Sequence, residues 1–231
     1  MIKFDNVSAE LRAGRIRSQV LEDVTISLPT DRRLVLLGRH GSGKSTVIRL
    51  IAGLLMPEEG QISRFAKVSY PVGYSGGFSP QLTARRNIVH AAHLYGADSD
   101  EIVAFVEAVT GMGAALDEPL GLLPVRFRLC LSYTLSYALP FDVYLIDQNP
   151  AVGDHEFRKK CTAMFEERCR DSGVILATKD VVAARRYGDV AAILHNRRIV
   201  LYDDVEQAIS DYQELGAEEQ VRSEGSVDDS V

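Results

Sequence analysis

The sequence predicts an α/β fold with a mixed β core, an inserted helical subdomain and a small N-terminal antiparallel β part. Three observations carry that prediction. Short apolar runs of strand character alternate with segments of helical period at both ends of the chain. Between them, from residue 83 to about 140, helical periodicity continues with only short breaks. A glycine-rich loop separates the first compact apolar strand from the first helix. Strand–loop–helix, a helical block, then strand–helix–strand describes one layered core with an insertion.

Taken in order, residues 2–7 (IKFDNV) and 24–28 (VTISL) read as short strands, with the Arg-rich stretch LRAGRIRSQ between them as a hairpin loop. RLVLL (33–37) is a compact strand that runs straight into the glycine-rich loop. KSTVIRLIAGLL (44–55) repeats apolar positions at helical spacing and must stop at Pro57, where PEEG supplies a turn. Ile62 and residues 68–70 look like further short strands. ARRNIVHAAHLYG, SDEIVAFVEAVTGM and RFRLCLSYTLSYAL are the helices of the inserted block. Strand VYLID (143–147), helix 156–170, strand GVILAT (173–178) and helix 181–187 restore the α/β alternation. Strands 190–194 and 197–202 follow, then helix VEQAISDYQEL.

Composition narrows the classes. The chain has 231 residues, 46% of them hydrophobic and 25% charged, which excludes disorder for the bulk of it. No charge-free apolar window reaches the length of about 18 residues that a membrane span requires. The start, MIKFDNVSAELR, lacks the basic and apolar regions of a secretory signal. Cys130, Cys161 and Cys169 have no metal-type spacing and suit a reducing compartment, so a cytosolic chain is expected. Of the net charge of −6, the segment 214–231 carries −5, from six acids and Arg222. The body is nearly neutral, with no basic stripe for nucleic acid. The expected organisation is one domain over residues 1–213 and an acidic, disordered tail over 214–231.

Gly38-Arg39-His40-Gly41-Ser42-Gly43-Lys44-Ser45 matches the phosphate-loop pattern G-x-x-x-x-G-K-[ST], in the strand–loop–helix context the motif demands. Glycines let successive backbone N–H groups point at phosphate oxygens, and the following helix, with Thr46 in its first turn, adds its positive end. Lys44 then reaches the β- and γ-phosphates and the Ser45 hydroxyl ligates Mg²⁺. The partner motif is the apolar strand ending in Asp147, placed to hold the metal through water. Together these predict a P-loop NTPase site for ATP and Mg²⁺.

RLVLLGRHGSGKSTVIRLIAGLLMPEEGQI resembles the opening of an ABC-transporter ATPase. PVGYSGGFSPQLTARRNIVHAAHLYG and FDVYLIDQNPAVGDHEFRKKC are similar to the subgroup that exports capsular polysaccharide and polyol-phosphate polymers. RRIVLYDDVEQAISDY fits that family's closing strand and helix. The resemblance covers roughly residues 1–213. It implies an ABC ATPase-type fold, ATP and Mg²⁺ as cofactors and a head-to-tail homo- or heterodimer. It also implies an integral membrane subunit supplied in trans and a place on the inner face of the plasma membrane. The chain is too short for the extra carbohydrate-binding domain of O-antigen relatives, so the short capsule type is expected.

The resemblance also locates departures. The acid that polarises the attacking water is replaced by Gln148, which positions water but cannot accept its proton. The switch histidine falls on Lys179, either a cation for the γ-phosphate or a surface ion-pair partner. The Q-loop glutamine falls on Tyr74, and the signature serine and glycine fall on Pro124-Val125-Arg126-Phe127. The adenine-stacking aromatic falls on Leu11, which offers apolar contact without π-stacking. Gly43, Lys44, Ser45 and Asp147 remain, so nucleotide binding with slow hydrolysis is expected; the alternative is a catalytically silent nucleotide-binding paralogue.

Weaker signals have plainer readings. His90 and His93 are spaced for two metal ligands on one helical face, but no cysteine or carboxylate completes a site. Arg12, Arg15, Arg17, Arg32 and Arg33 read as a solvated basic zone. Phe78, Pro80 and Leu82 border, by family analogy, the groove for the membrane subunit's coupling helix, or else pack the helical subdomain.

Overall fold

The computed structural model describes residues 1–13 and 16–225, and side chains except those of 12–16 and from 218 onward. The chain opens with two long antiparallel strands, β1 (Ile2–Ala13) and β2 (Ile16–Leu28). Both outrun the short strands expected, and most of the basic stretch lies within the ladder instead of a loop. The cause is cross-strand: pairs such as Leu11↔Ser18 and Ala13↔Ile16 continue the hydrogen bonding beyond the buried end, with no alternating pattern to announce it. The basic zone's Arg15 and the Arg12 side chain lie outside the described residues.

Strand β3 (Arg33–Leu37) leads through the glycine-rich loop into helix α1 (Lys44–Ile51). β4 (Glu59–Arg64) returns to pair with β1, completing a three-stranded antiparallel sheet ordered β2-β1-β4. β5 (Val68–Pro71) precedes the helical block of α2 (Ala84–Tyr95), α3 (Ser99–Thr110) and α4 (Val125–Ala138). Thr83 and Asp98 cap α2 and α3 by accepting backbone N–H groups, and Gly96 and Gly111 end them in the left-handed conformation. Then come β6 (Val143–Asp147), α5 (His155–Asp171), β7 (Gly173–Thr178), α6 (Val181–Tyr187), β8 (Val190–His195), β9 (Arg198–Tyr202) and α7 (Val205–Gly225). The described part of the acidic segment is thus helix to Gly225, longer than the expected VEQAISDYQEL; its Ala, Glu, Gln and Arg are good helix formers. Residues 226–231 lie outside the described residues.

The larger sheet is ordered β5-β6-β7-β3-β8-β9, parallel except for the edge strand β9. Its four inner strands, β6, β7, β3 and β8, are buried on both faces. Val35 and Leu37 of β3 pack with Tyr144, Ile146, Val174 and Leu176 and with helices α2, α4 and α5. Leu34 and Leu36 point the other way, into a core shared with Val47, Ile48 and Ile51 of α1 and with Phe4 and Leu21 of the small sheet. This is the alternation of a strand sandwiched between two layers. Among the described residues no helix is long and apolar enough to cross a membrane.

Helix α1 ends four residues earlier than its apolar spacing predicts. Gly53 turns the chain at φ 74°, and Arg64 of β4 donates to the carbonyls of Leu50 and Ile51, each at 2.6 Å. A cation there adds charge-assisted donors to the last carbonyls, of which Leu50 O also accepts the Gly53 N–H at 3.1 Å, and meets the negative end of the helix. Replacing Arg64 with Ala is expected to cost about 1–2 kcal/mol in urea unfolding. Arg64→Lys should recover only part of this, because an ammonium cannot bridge two carbonyls as the guanidinium fork does.

Candidate functional site

The carboxyl ends of β3, β6 and β7 form one edge, and the candidate site lies there. Leaving β3, the loop tightens through Ser42 N–H to Arg39 O at 3.2 Å, with Gly41 and Gly43 at φ 79° and 99°. A Cβ at Gly43 would lie 2.2 Å from Val20 Cγ1, so glycine alone lets β2 lean on the loop. Lys44 is buried, and its Nζ donates to the Gly38 and Arg39 carbonyls at 2.6 and 2.8 Å. Burial lowers the Lys44 pKa, Lys179 lowers it further, and Asp147 opposes them. Ser42 Oγ is buried without a hydrogen-bond partner. Arg39 and His40 are exposed on the outer side, and Thr46 is buried in α1. An inward ammonium resting on carbonyls and an unpaired buried hydroxyl form a cradle that suits an anion.

Ser45 Oγ donates to Asp147 Oδ1 at 3.0 Å, joining the start of α1 to the end of β6. Hydroxyl and carboxylate oxygens are the hard donors Mg²⁺ takes beside phosphate. The residues present therefore fit a magnesium-bound nucleoside triphosphate: Lys44 and the loop amides for phosphate, Ser45 and Asp147 for the metal.

Immediately after Asp147 the backbone becomes unusual. Gln148 adopts φ 72°, a left-handed conformation that costs a side-chain-bearing residue about 1–2 kcal/mol. Its N–H donates to Ala177 O of β7 at 2.8 Å, and its side chain is exposed. The segment is pinned from α4: the Tyr133 hydroxyl donates to Asn149 O at 3.2 Å and the Tyr137 hydroxyl to Pro150 O at 2.7 Å. In the sequence these tyrosines, one turn apart, read only as part of a helix. Their spacing of four was the available signal, and their target was not.

Lys179 follows β7 directly and is exposed. Among the described residues no carboxylate stands within ion-pair distance of it, so the surface ion-pair reading finds no partner there. Tyr74 lies elsewhere, with its ring 5.5 Å from that of Tyr70. Together with Phe78, Leu94, Tyr95 and Phe141 it lines a cavity of about 130 Å³ between α2 and α4. Pro124 immediately precedes α4, Val125 is exposed, and the Arg126 guanidinium sits 4.6 Å above the Phe127 ring, so the helix begins with neither glycine nor hydroxyl. Leu11 is 40% exposed, farther along the ribbon than the Val20 contact.

The strain at Gln148 yields a test. Gln148→Gly should stabilise the chain by about 0.5–1 kcal/mol in urea unfolding, the relief of the left-handed strain less glycine's extra unfolded-state entropy. Gln148→Ala, which keeps the strain, should give no such gain.

Comparison with known proteins agrees with this architecture. The sequence model of the ABC transporter family matches residues 21–121. The polysialic acid transport ATP-binding protein KpsT of Escherichia coli is 37% identical over 92% of this chain and 99% of its own length. The capsule polysaccharide export ATP-binding protein CtrD of Neisseria meningitidis is 34% identical, over 93% of this chain and 100% of its own. The ATP-binding protein BexA of Haemophilus influenzae is 33% identical, over 93% and 99%. A solved ATP-binding subunit of an ABC transporter superposes with a TM-score of 0.68 at 24% identity, covering 91% of this chain and 93% of that one. The dimeric ATP-binding cassette MJ0796 bound to ADP and Pi gives 0.67 at 18%, covering 86% and 96%. With the loop, the Ser45–Asp147 contact and the sheet order already in place, these similarities show that the chain belongs to the ABC-transporter family of ATP-binding proteins.

Proposed function

We propose that this chain is the ATP-binding subunit of an exporter of capsular or related polysaccharide. It binds Mg-ATP at the interface of a head-to-tail dimer and acts on a separate integral membrane subunit from the cytoplasmic face. The reading is supported by similarity to KpsT, CtrD and BexA over nearly their whole lengths. The observation that carries the nucleotide part is the loop geometry: Lys44 held inward, Ser42 Oγ orphaned and Ser45 bonded to Asp147. With ATP bound, Lys44 would turn from its carbonyl partners to phosphate oxygens, and Ser45 and Asp147 would hold the metal. Leu11 offers the adenine an apolar surface. Bound Mg²⁺ supplies charge neutralisation at the phosphates.

Hydrolysis by this chain alone is slow in this reading. Gln148 orients a water without taking its proton, and the loss of a general base costs roughly 10²–10⁴ in rate. The start of α4 offers a partner's phosphates Val125, Arg126 and Phe127 in place of a hydroxyl and glycine. That pair of features favours a second reading as well, a silent nucleotide-binding paralogue that scaffolds an active ATPase.

Equilibrium binding of labelled ATP in Mg²⁺ tests the assignment. Wild type should bind and Lys44→Ala should lose at least tenfold in affinity, the scale of a charge-assisted contact; equal binding by the two overturns the site. In a steady-state phosphate-release assay, Gln148→Glu alone should leave turnover low. Robust turnover by that single variant would show that α4 and Lys179 do not limit the reaction.

A further inference from the structure

The three α-helices of the inserted block end against cations that belong to the sheet core. Lys67 Nζ, just before β5, donates to the carbonyl of Tyr95, the last residue of α2, at 3.3 Å. Lys160 of α5 donates to Val109 O in the last turn of α3 at 3.0 Å. Arg168, two turns farther along α5, donates through Nε to Tyr137 O in the last turn of α4 at 2.8 Å. α3 and α4 carry no basic residue in their own last turns, and α2 carries only His93. A helix C-terminus holds unpaired carbonyls and a partial negative charge, so a cation there is attractive whichever element supplies it. Here the core supplies all three.

Each cation is anchored on the core side. The Lys67 N–H donates to Asp142 Oδ2 at 2.7 Å, and the Lys67 carbonyl accepts from Asp142 and Val143 at the start of β6. Lys160 sits between Phe157 and Cys161, which α5 buries in the core, and Glu156 pairs with the same ammonium at 3.3 Å. The Arg168 guanidinium lies 5.5 Å from the centre of the Tyr144 ring of β6. The seam these side chains span is not closed by apolar packing throughout. A cavity of about 220 Å³ remains beside Lys160, among Thr110, Arg126, Phe127, Cys130 and Asp154. Lys67 is exposed, and Lys160 and Arg168 are half-buried, so salt screens these attractions, whereas it does not screen the apolar cohesion of the inner strands.

We propose that Lys67, Lys160 and Arg168 are clasps through which the sheet core sets the orientation of the helical block, so that ionic strength governs the docking of the block and not the cohesion of the core. They are positioning residues, acting through the backbone of the helices they hold. α3 packs on both α2 and α4, so freeing one helix end loosens the block as a unit. The clasp on α4 continues to the nucleotide edge: Arg168 holds the Tyr137 carbonyl, and the Tyr137 hydroxyl holds Pro150 O at 2.7 Å.

The test is hydrogen–deuterium exchange of the full chain, read peptide by peptide at low and high salt. It compares wild type, Lys160→Met, Lys67→Met, the double variant and Lys159→Met; methionine keeps an unbranched apolar stem and removes the charge. At low salt, Lys160→Met should speed exchange of the α3 amides about tenfold, the scale of one charge-assisted contact, while β3, β6 and β7 exchange as in wild type. Lys67→Met should do the same at the end of α2. Raising salt should speed exchange of α2, α3 and α4 in wild type, and much less in the double variant, which has already lost two of the screened contacts. Lys159→Met, an exposed neighbour of the clasp, should match wild type throughout. Exchange in Lys160→Met that equals wild type, or that rises in the strands as much as in α3, overturns the inference, as does a salt effect undiminished in the double variant. None of these readouts needs nucleotide, so the result is independent of the Mg-ATP assignment.

Discussion

The 3.0 Å hydrogen bond from Ser45 Oγ to Asp147 Oδ1 joins residues 102 positions apart, and the site depends on what makes it possible. β6, β7 and β3 lie side by side, parallel and in register, so their carboxyl ends stop at one level. In a parallel sheet, ligands meet the chain at that edge, where loops leave and helix N-termini begin. Everything else serves to hold the edge still. Alternate residues of β3 enter two different cores, so the strand cannot slip without exposing one apolar set and burying the other. The N-terminal ribbon is braced on the loop through Val20 against Gly43. A substitution that shifts β3 therefore also shifts the glycine-rich loop that follows it.

From the other side, α4 acts as a bracket. Tyr133 and Tyr137 reach the carbonyls of Asn149 and Pro150, while Ser136 accepts the Gly73 N–H at 3.2 Å. One helix thereby ties the segment after Asp147 to the loop after β5. The Tyr137 hydroxyl is buried, its pKa held well above the ordinary phenol value by desolvation, so it stays a donor at any pH the protein meets. The strained Gln148 backbone persists because this bracket and the bond to Ala177 leave it no other place.

How much of this the sequence carries depends on whether the cause is local. The phosphate loop is legible residue by residue, since its glycines, lysine and serine are each demanded by backbone turn or phosphate charge at a fixed spacing. The buried strands VYLID and GVILAT are legible as apolar runs, and the breaks among α2, α3 and α4 as caps and glycines. The stop of α1 at Ile51 is set by Arg64, which arrives from β4, and the length of the β1–β2 ribbon by pairing along a partly exposed ladder. Neither leaves a local mark. The sequence leaves two readings of Lys179 open because the strands beside it, β3 and β6, are distant in the chain.

The central claim is that this chain keeps a triphosphate nucleotide in a site poor at cleaving it. The direct measurement is the chemical identity of the nucleotide carried by the chain: incubation with Mg²⁺ and ATP labelled in the adenine, rapid removal of free nucleotide, and chromatography of what stays bound over time. The account predicts that bound label remains ATP over many minutes and dissociates as ATP. Bound label that turns to ADP within a minute, with one phosphate released per site, would contradict it.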